Sequence, residues 1–289
     1  MMDGESIVSV SKIDECFGNT PASFYRLFTG VFSDSLQLLV FDPEKNKFVA
    51  YARQEIKSGG NRREYADQLK KSFEESNLLQ YEYKDTLVIW ESWRSTFVPN
   101  ALFDPAETET YFRFNQSVET DDKIYADKLQ IAGIYNVYSI SESLEKSIGL
   151  RAYRDRHHAS VFTESVLIWS KQKMLPKQVF LNVHPTFFDM LVTENGKLLF
   201  YNSFHYKTAE DFIYFVLFVY EQLKISPESN GVVLSGNILK NSVLFETLYK
   251  YIRHIEFAIP GEQYSNSYIL KDLPAHTIYN LTGAVLCEL

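Results

Sequence analysis

The sequence is poor in cysteine: Cys16 and Cys287 are its only two. Two cysteines build neither a disulfide framework nor a multi-cysteine metal centre. Basic residues are in deficit, 29 Lys and Arg against 37 Asp and Glu, giving a net charge of −8 and a pI near 5.4. An acidic chain without a basic tract repels phosphate backbones, which excludes nucleic acid as the expected partner. Long hydrophobic runs are missing too. The longest, Phe212 to Tyr220, has nine residues, too few at about 1.5 Å per helical residue to cross a hydrocarbon core of roughly 30 Å. Glu210-Asp211 and Glu221-Gln222 flank it, so it reads as a core helix buried on most sides. The opening residues carry Asp3 and Glu5 and no basic stretch leading into an apolar one, unlike a secretory signal. The chain is expected to be soluble and cytoplasmic, not an integral membrane protein.

Several catalytic signatures are also lacking. There is no Walker A sequence, no dinucleotide fingerprint and no His-Glu-x-x-His zinc motif, and the six histidines show no regular ligand spacing. Nucleophilic catalysis finds no Gly-x-Ser-x-Gly elbow, because Ser235-Gly236 lacks the leading glycine. Adjacent carboxylates such as Glu74-Glu75 and Asp121-Asp122 point different ways and read as solvated charges, not an acid–base pair. The densest basic patch, Arg151, Arg154, Arg156, His157 and His158, contains Asp155. It reads as a solvated face with local ion pairs, the alternative being an anion site. His184, followed by Pro185, stands at an expected strand end in a site-like position and reads as a hydrogen-bonded structural histidine, the alternative being a functional one.

What is present is ordinary globular material rich in aromatics: 45% hydrophobic residues, 22 Phe, 19 Tyr and 3 Trp in 289 residues. That length suits about two domains. Phe24–Phe28, Leu36–Phe41 and Phe48–Tyr51 read as three strands, with Asp42-Pro43-Glu44-Lys45-Asn46 as a turn between the last two. A helix follows on the spacing Tyr65, Leu69, Phe73, then a buried strand Thr86–Trp90. The order returns: strands at Val179–Val183, Phe187–Val192 and Leu198–Tyr201, with the turn dipeptide Asn195-Gly196 before the last. A helix capped by Thr208 and a glycine-ended strand, Gly231–Gly236, complete the second set. Between the sets, strands near Ile124–Leu129 and Ile134–Ile140 precede a short helix capped by Ser141, and a longer helix spans His157 to Lys173. A last helix follows Pro274.

This doubled order of three strands, helix and strand resembles the actin-like ATPase fold. The carriers are Tyr25–Tyr51, Asn136–Leu144, Val179–Phe204 and Gly231–Asn237. The chain resembles an uncharacterised bacterial family of that fold, a domain of unknown function, and is similar to the actin-like proteins of type IV pilus assembly. The resemblance implies an α/β protein of two ribonuclease-H-like lobes with mixed five-stranded sheets. Residues 1–172 would form the first lobe, with an inserted subdomain at about 97–140, and 173–289 the second.

Active members of the actin-like group place Asp-x-Gly at the end of the first strand in each lobe. The glycine lets backbone N–H groups approach phosphate, and the carboxylate holds hydrated Mg²⁺. Here the first triplet is Phe28-Thr29-Gly30 and the second Asn182-Val183-His184; the adenosine turn matches Ser235-Gly236-Asn237. Neither expected carboxylate is present, and phosphoryl transfer rests on positioned charge. The resemblance therefore implies no catalytic residue, metal site or cofactor. If ATP and Mg²⁺ were still held, Gly30, Asn182, Thr186 and Gly236 would be the binding residues. The expected function is protein binding or scaffolding, with a peptide segment in a groove near the interlobe region. The alternative is a divergent nucleotide-binding ATPase or phosphotransferase that draws its acids from Asp34, Asp42 or Asp189.

Overall fold

A computed structural model describes residues 9–57, 61–173, 176–259, 261 and 267–288. In chain order the strands and helices are β1 (Ser9–Ile13), β2 (Arg26–Phe32), β3 (Ser35–Asp42), β4 (Lys47–Glu55), α1 (Arg62–Glu75), β5 (Asp85–Trp90), β6 (Ser95–Pro99), α2 (Thr108–Asn115), β7 (Asp122–Leu129), β8 (Ile134–Ser141), α3 (Glu142–Ser147), β9 (Arg154–His157) and α4 (His158–Lys173). There follow β10 (Lys177–Val183), β11 (Phe187–Glu194), β12 (Lys197–His205), α5 (Ala209–Gln222), β13 (Val232–Gly236), α6 (Val243–Tyr249), β14 (Ile255–Phe257) and α7 (Tyr279–Glu288). Among the described residues no helix is long and apolar enough to cross a membrane.

The chain falls into two compact units: Met1–Lys128 with Tyr135–His158 and Gly261–Asp272, and Leu129–Ile134 with Ala159–Pro260 and Leu273–Leu289. The division precedes α4, where the sequence expectation drew it at 172/173. Phe162 and Val166 of α4 pack against Phe180 and Leu191 of the second sheet, which groups that helix with the second unit.

Each unit carries the expected sheet. The second has the order β12-β11-β10-β13-β14, antiparallel up to β10 and parallel beyond it. The first repeats this order as β4-β3-β2-β5-β9 and gains a sixth, antiparallel edge strand, β1, outside β4. A separate sheet, β6-β8-β7, forms the insert together with α2, around Val98, Phe112 and Val137. Arg94 grips Asp122 of this insert through both carboxylate oxygens, at 3.0 and 2.7 Å, and also donates to the Ser117 carbonyl.

Local chemistry sets the elements. Asn195 and Gly196 both hold positive φ, 51° and 72°, as the two-residue hairpin between β11 and β12 requires. Thr208 and Asp211 form a capping box at the start of α5, and Ser141 caps α3. Asn61 caps α1, the helix expected on Tyr65, Leu69 and Phe73.

One expectation needs correction. The basic patch is not one solvated face: Arg154–His157 forms β9, which pairs with β5, and both His157 and His158 are fully buried. Arg154 donates to Asp85 at 2.6 Å and Asp155 accepts from the Trp90 indole at 2.6 Å, both within the unit. The apolar run in α5 is buried on most sides, as expected, with Phe215 and Leu217 also packed against the core and one stripe left open. Phe212, Ile213, Val216, Val219 and Tyr220 enter the core of the second unit, but Tyr214 and Phe218 stay 62% and 44% exposed. A helix laid on one face of a sheet leaves its outer stripe uncovered.

In the first unit, Asp14 makes a close ion pair with Lys47, whose ammonium also lies 4.5 Å above the Tyr268 ring. Burial pushes the Asp14 carboxyl up, but hydrogen bonds with Lys47, the Cys16 amide and Tyr268 outweigh it and hold the group below its ordinary 3.8. The same pairing raises Lys47 above its ordinary 10.5. The Asp14 contribution is therefore present above the unfolded carboxyl value and lost as pH falls through the lowered folded one. The Lys47 contribution is present below 10.5 and lost as pH rises through the raised value. Asp14→Asn should lower stability at neutral pH by about 2 kcal/mol and flatten the acid limb of the curve below about pH 4. Urea denaturation between about pH 3 and 7 checks this, and an unchanged acid limb would refute it.

Candidate functional site

In the second unit, strand register assembles a polar row. Ser203 of β12 lies opposite Asp189 of β11, Asp189 opposite Asn182 of β10, and Asn182 opposite Ser235 of β13. Cross-strand partners share a face, so four strands deliver four polar side chains to one side of the sheet. Residues two positions away along a strand share that face too, which adds Tyr201 and His184.

The row is knitted together internally. Asp189 is fully buried; its Oδ1 accepts from Tyr201 at 2.8 Å and Ser203 at 2.6 Å. Its Oδ2 accepts from the Asn182 amide at 3.2 Å and lies 3.0 Å from His184 Nε2. Asn182 Oδ1 accepts from Ser235 at 3.1 Å. Beyond the row, the His184 carbonyl accepts from Tyr206, and its ring stacks on Phe187 at 4.2 Å. Burial, then the negative Asp189, push the Tyr201 phenol well above its ordinary value, so it stays a neutral donor.

The residues expected to hold nucleotide take different places. Gly236 ends β13 with φ +81°, and a Cβ there would stand 2.2 Å from the Val183 carbonyl oxygen and 2.9 Å from Asn182 Oδ1. That closeness, sealed by Asn237 N–H donating to Val183 at 2.7 Å, explains the glycine by strand packing. Thr186 is exposed in the turn between β10 and β11, its carbonyl accepting from Tyr206 N–H at 3.2 Å. In the first unit Gly30 lies inside β2, where the Phe32 ring fills the space left by its missing side chain, 2.2 Å from an ideal Cβ. Phe28, at the carboxylate position of this lobe, is buried.

The three substitute acids differ as well. Asp34, in the turn after β2, accepts from Arg53 at 3.1 Å and from Ser35 at 2.8 Å. Asp42 lies at the opposite end of the first sheet, where it accepts from the Glu44 and Lys45 amides of its turn. Asp189, beside the turn between β10 and β11, is at the end of the second sheet that corresponds to the Asp34 end of the first, with both oxygens taken up by protein donors. This donor set does not fit a magnesium-bound triphosphate. The carboxylate positions hold Phe28 and a neutral amide, and protein atoms crowd the space beside both glycines.

Sequence reading missed a cleft of about 280 Å³ in the first unit, at the carboxyl ends of the parallel strands β2 and β5 and the start of α1. Ligands of open α/β sheets gather at such ends. Val31, Tyr65, Trp90 and Leu144 give it apolar walls, and Arg62 and Glu91 give it charge. The Tyr65 hydroxyl donates to the Phe32 carbonyl at 2.6 Å, and Ser33 N–H donates to Glu91 at 3.0 Å, which fixes the walls. The signal available in the sequence was Trp90 ending a buried strand and followed by an acid.

Comparison with known proteins bears on the fold. A search of curated protein sequences finds no match. A solved structure from Bacteroides thetaiotaomicron, a protein with actin-like ATPase fold and unknown function, superposes with a TM-score of 0.78 at 22% identity, covering 92% of this chain and 97% of that one. The structure of the PilM–PilN type IV pilus biogenesis complex gives a TM-score of 0.62 at 14% identity, covering 92% of this chain and 99% of that one. The fold is therefore the actin-like ATPase fold. A family profile described as protein of unknown function DUF3822 matches residues 14–255, and the chain belongs to that family.

Proposed function

We propose that this protein uses an actin-like fold without its nucleotide chemistry and works by binding a protein segment. The observation that carries the reading is the polar row of the second unit. Groups that would meet metal and phosphate in an active relative are here hydrogen-bonded to one another: Asp189 by Tyr201, Ser203 and Asn182, and Asn182 by Ser235. Freeing them would leave buried donors unsatisfied, a cost of about 1–3 kcal/mol each.

The first-unit cleft suits an extended segment that inserts one apolar side chain between Tyr65, Trp90 and Leu144 and pairs with Arg62 or Glu91. A relative of the same fold occurs in the PilM–PilN complex, which supports partner binding as a use of this fold.

One observation favours the rival reading, a divergent ATPase or phosphotransferase: Asp189 keeps a carboxylate at the strand end where a metal-binding acid would stand. Thermal melts in millimolar ATP, with and without Mg²⁺, separate the two. The binding reading predicts an unchanged melting temperature and no phosphate release. Ligand at 100 times its Kd would add about 2.7 kcal/mol, so a Mg²⁺-dependent rise that Asn182→Ala removes would establish the rival.

A further inference from the structure

The outer face of α5 carries a second surface with its own chemistry. Glu210, Tyr214, Phe218 and Glu221 are all exposed. At about 100° per residue these positions fall within an arc of roughly 80°, so they form one straight stripe in the order acid, aromatic, aromatic, acid. Tyr214 and Phe218 stack on each other, centroids 6.3 Å apart and planes 21° from parallel. Phe212, Val216, Val219 and Tyr220 on the opposite side are locked into the core, so the platform is rigid. A stacked pair of large aromatic side chains held in solvent at a fixed geometry has the composition of an interface centre.

We propose that this stripe docks an amphipathic helix of a partner protein that carries two basic residues flanking apolar ones. The flanking charges choose the occupant. Glu210 and Glu221 lie eleven residues apart, about 16 Å along the helix, and match lysines or arginines at the same spacing on an antiparallel helix. Between them the aromatic pair accepts leucine-sized side chains and the edge of a guanidinium. A second copy of this chain is disfavoured, because antiparallel α5 helices would set Glu210 against Glu221 of the other copy. An anionic bilayer is repelled by the same two carboxylates. The proposal concerns a surface separate from the first-unit cleft and stands whether or not that cleft is filled.

The test uses the full chain and a fluorescent alanine-based helical peptide with two arginines eleven residues apart and two leucines between them on the same face. Anisotropy should show salt-sensitive binding, weakened about tenfold or more in Tyr214→Ser/Phe218→Ser and about fivefold in Glu221→Lys. The Glu221→Lys chain should in turn prefer a peptide in which the facing arginine is replaced by glutamate. Glu221→Lys should melt like the parent, and the double serine variant should stay folded with a modestly lower melting temperature, since Phe218 is partly covered. No binding, binding indifferent to these changes, or equal binding of a peptide with both arginines replaced by glutamate would overturn the proposal. So would a concentration-dependent dimer in sedimentation that Phe218→Ser disperses, or uptake by phosphatidylserine vesicles that depends on Tyr214.

Discussion

Gly236→Ala should destabilise the second unit by about 4 kcal/mol. The backbone sits at φ +81°, where an L side chain costs roughly 1–2 kcal/mol. The remainder is a collision with backbone. The new Cβ would stand 2.2 Å from the Val183 carbonyl oxygen and 2.9 Å from both the Val183 nitrogen and Asn182 Oδ1. A backbone carbonyl held by the Asn237 N–H cannot rotate aside as a side-chain tip can, so the end of β13 must move away from β10. That breaks the Asn237 to Val183 hydrogen bond and strains the Ser235 to Asn182 contact, worth about 1 kcal/mol each. Two controls isolate the contributions. Gly133 has φ +68° with nothing near its Cβ, so Gly133→Ala should cost only the conformational part, about 1 kcal/mol. Gly18 has open space and an ordinary φ, and Gly18→Ala should be neutral. Scanning calorimetry should rank the losses Gly236, Gly133, Gly18. Equal effects at Gly236 and Gly133 would show that strand packing does not require the glycine.

Asp189→Ala should cost a similar amount, about 4 kcal/mol, through a different mechanism. Tyr201, Ser203 and Asn182 all donate to this carboxylate, and removing it leaves each polar group short of an acceptor. Each donor left without an acceptor costs about 1–3 kcal/mol, and part-exposed Tyr201 and Ser203 recover some of it by turning to water. Asp189→Asn keeps the shape and one acceptor oxygen, so Tyr201 and Ser203 retain their bonds. Its new NH₂ would face the Asn182 NH₂, however, and the loss should be about 2 kcal/mol. The paired variant Asn182→Asp/Asp189→Asn restores one donor and one acceptor across the strands and should recover part of that loss. If Asp189→Ala instead melts like the parent, the carboxylate is not structural and its place at the strand end calls for a functional reading.

The architecture was legible where local chemistry and periodicity agree. Asn195-Gly196 announces its hairpin because few other residues adopt two positive φ values in succession. Thr208 announces α5 through its oxygen and the acid three residues on. The polar row was harder to see. Asn182, Asp189 and Ser235 each drew notice, but their union depends on which residues face across four strands, and that register is set by the two connecting turns and the parallel crossover, not by any one segment. Tyr201 and Ser203 carry no mark as donors until Asp189 is placed opposite them. β9 was missed because Arg154, Asp155 and Arg156 make a polar strand at a sheet edge, where composition imitates a solvated loop. The exposed stripe of α5 was hidden by its neighbours, since nine apolar residues in a row look uniformly buried until the sheet shows which side it covers.

Central to the proposed function is that the second unit holds an internal hydrogen-bond network in place of a working nucleotide site. Calorimetric titration of the pure protein with ATP and with ADP, each with and without Mg²⁺, tests it most directly. The account predicts no heat of binding at millimolar nucleotide under any of the four conditions. A Mg²⁺-dependent isotherm of unit stoichiometry, lost in Asp189→Asn at a temperature where that variant is folded, would contradict it.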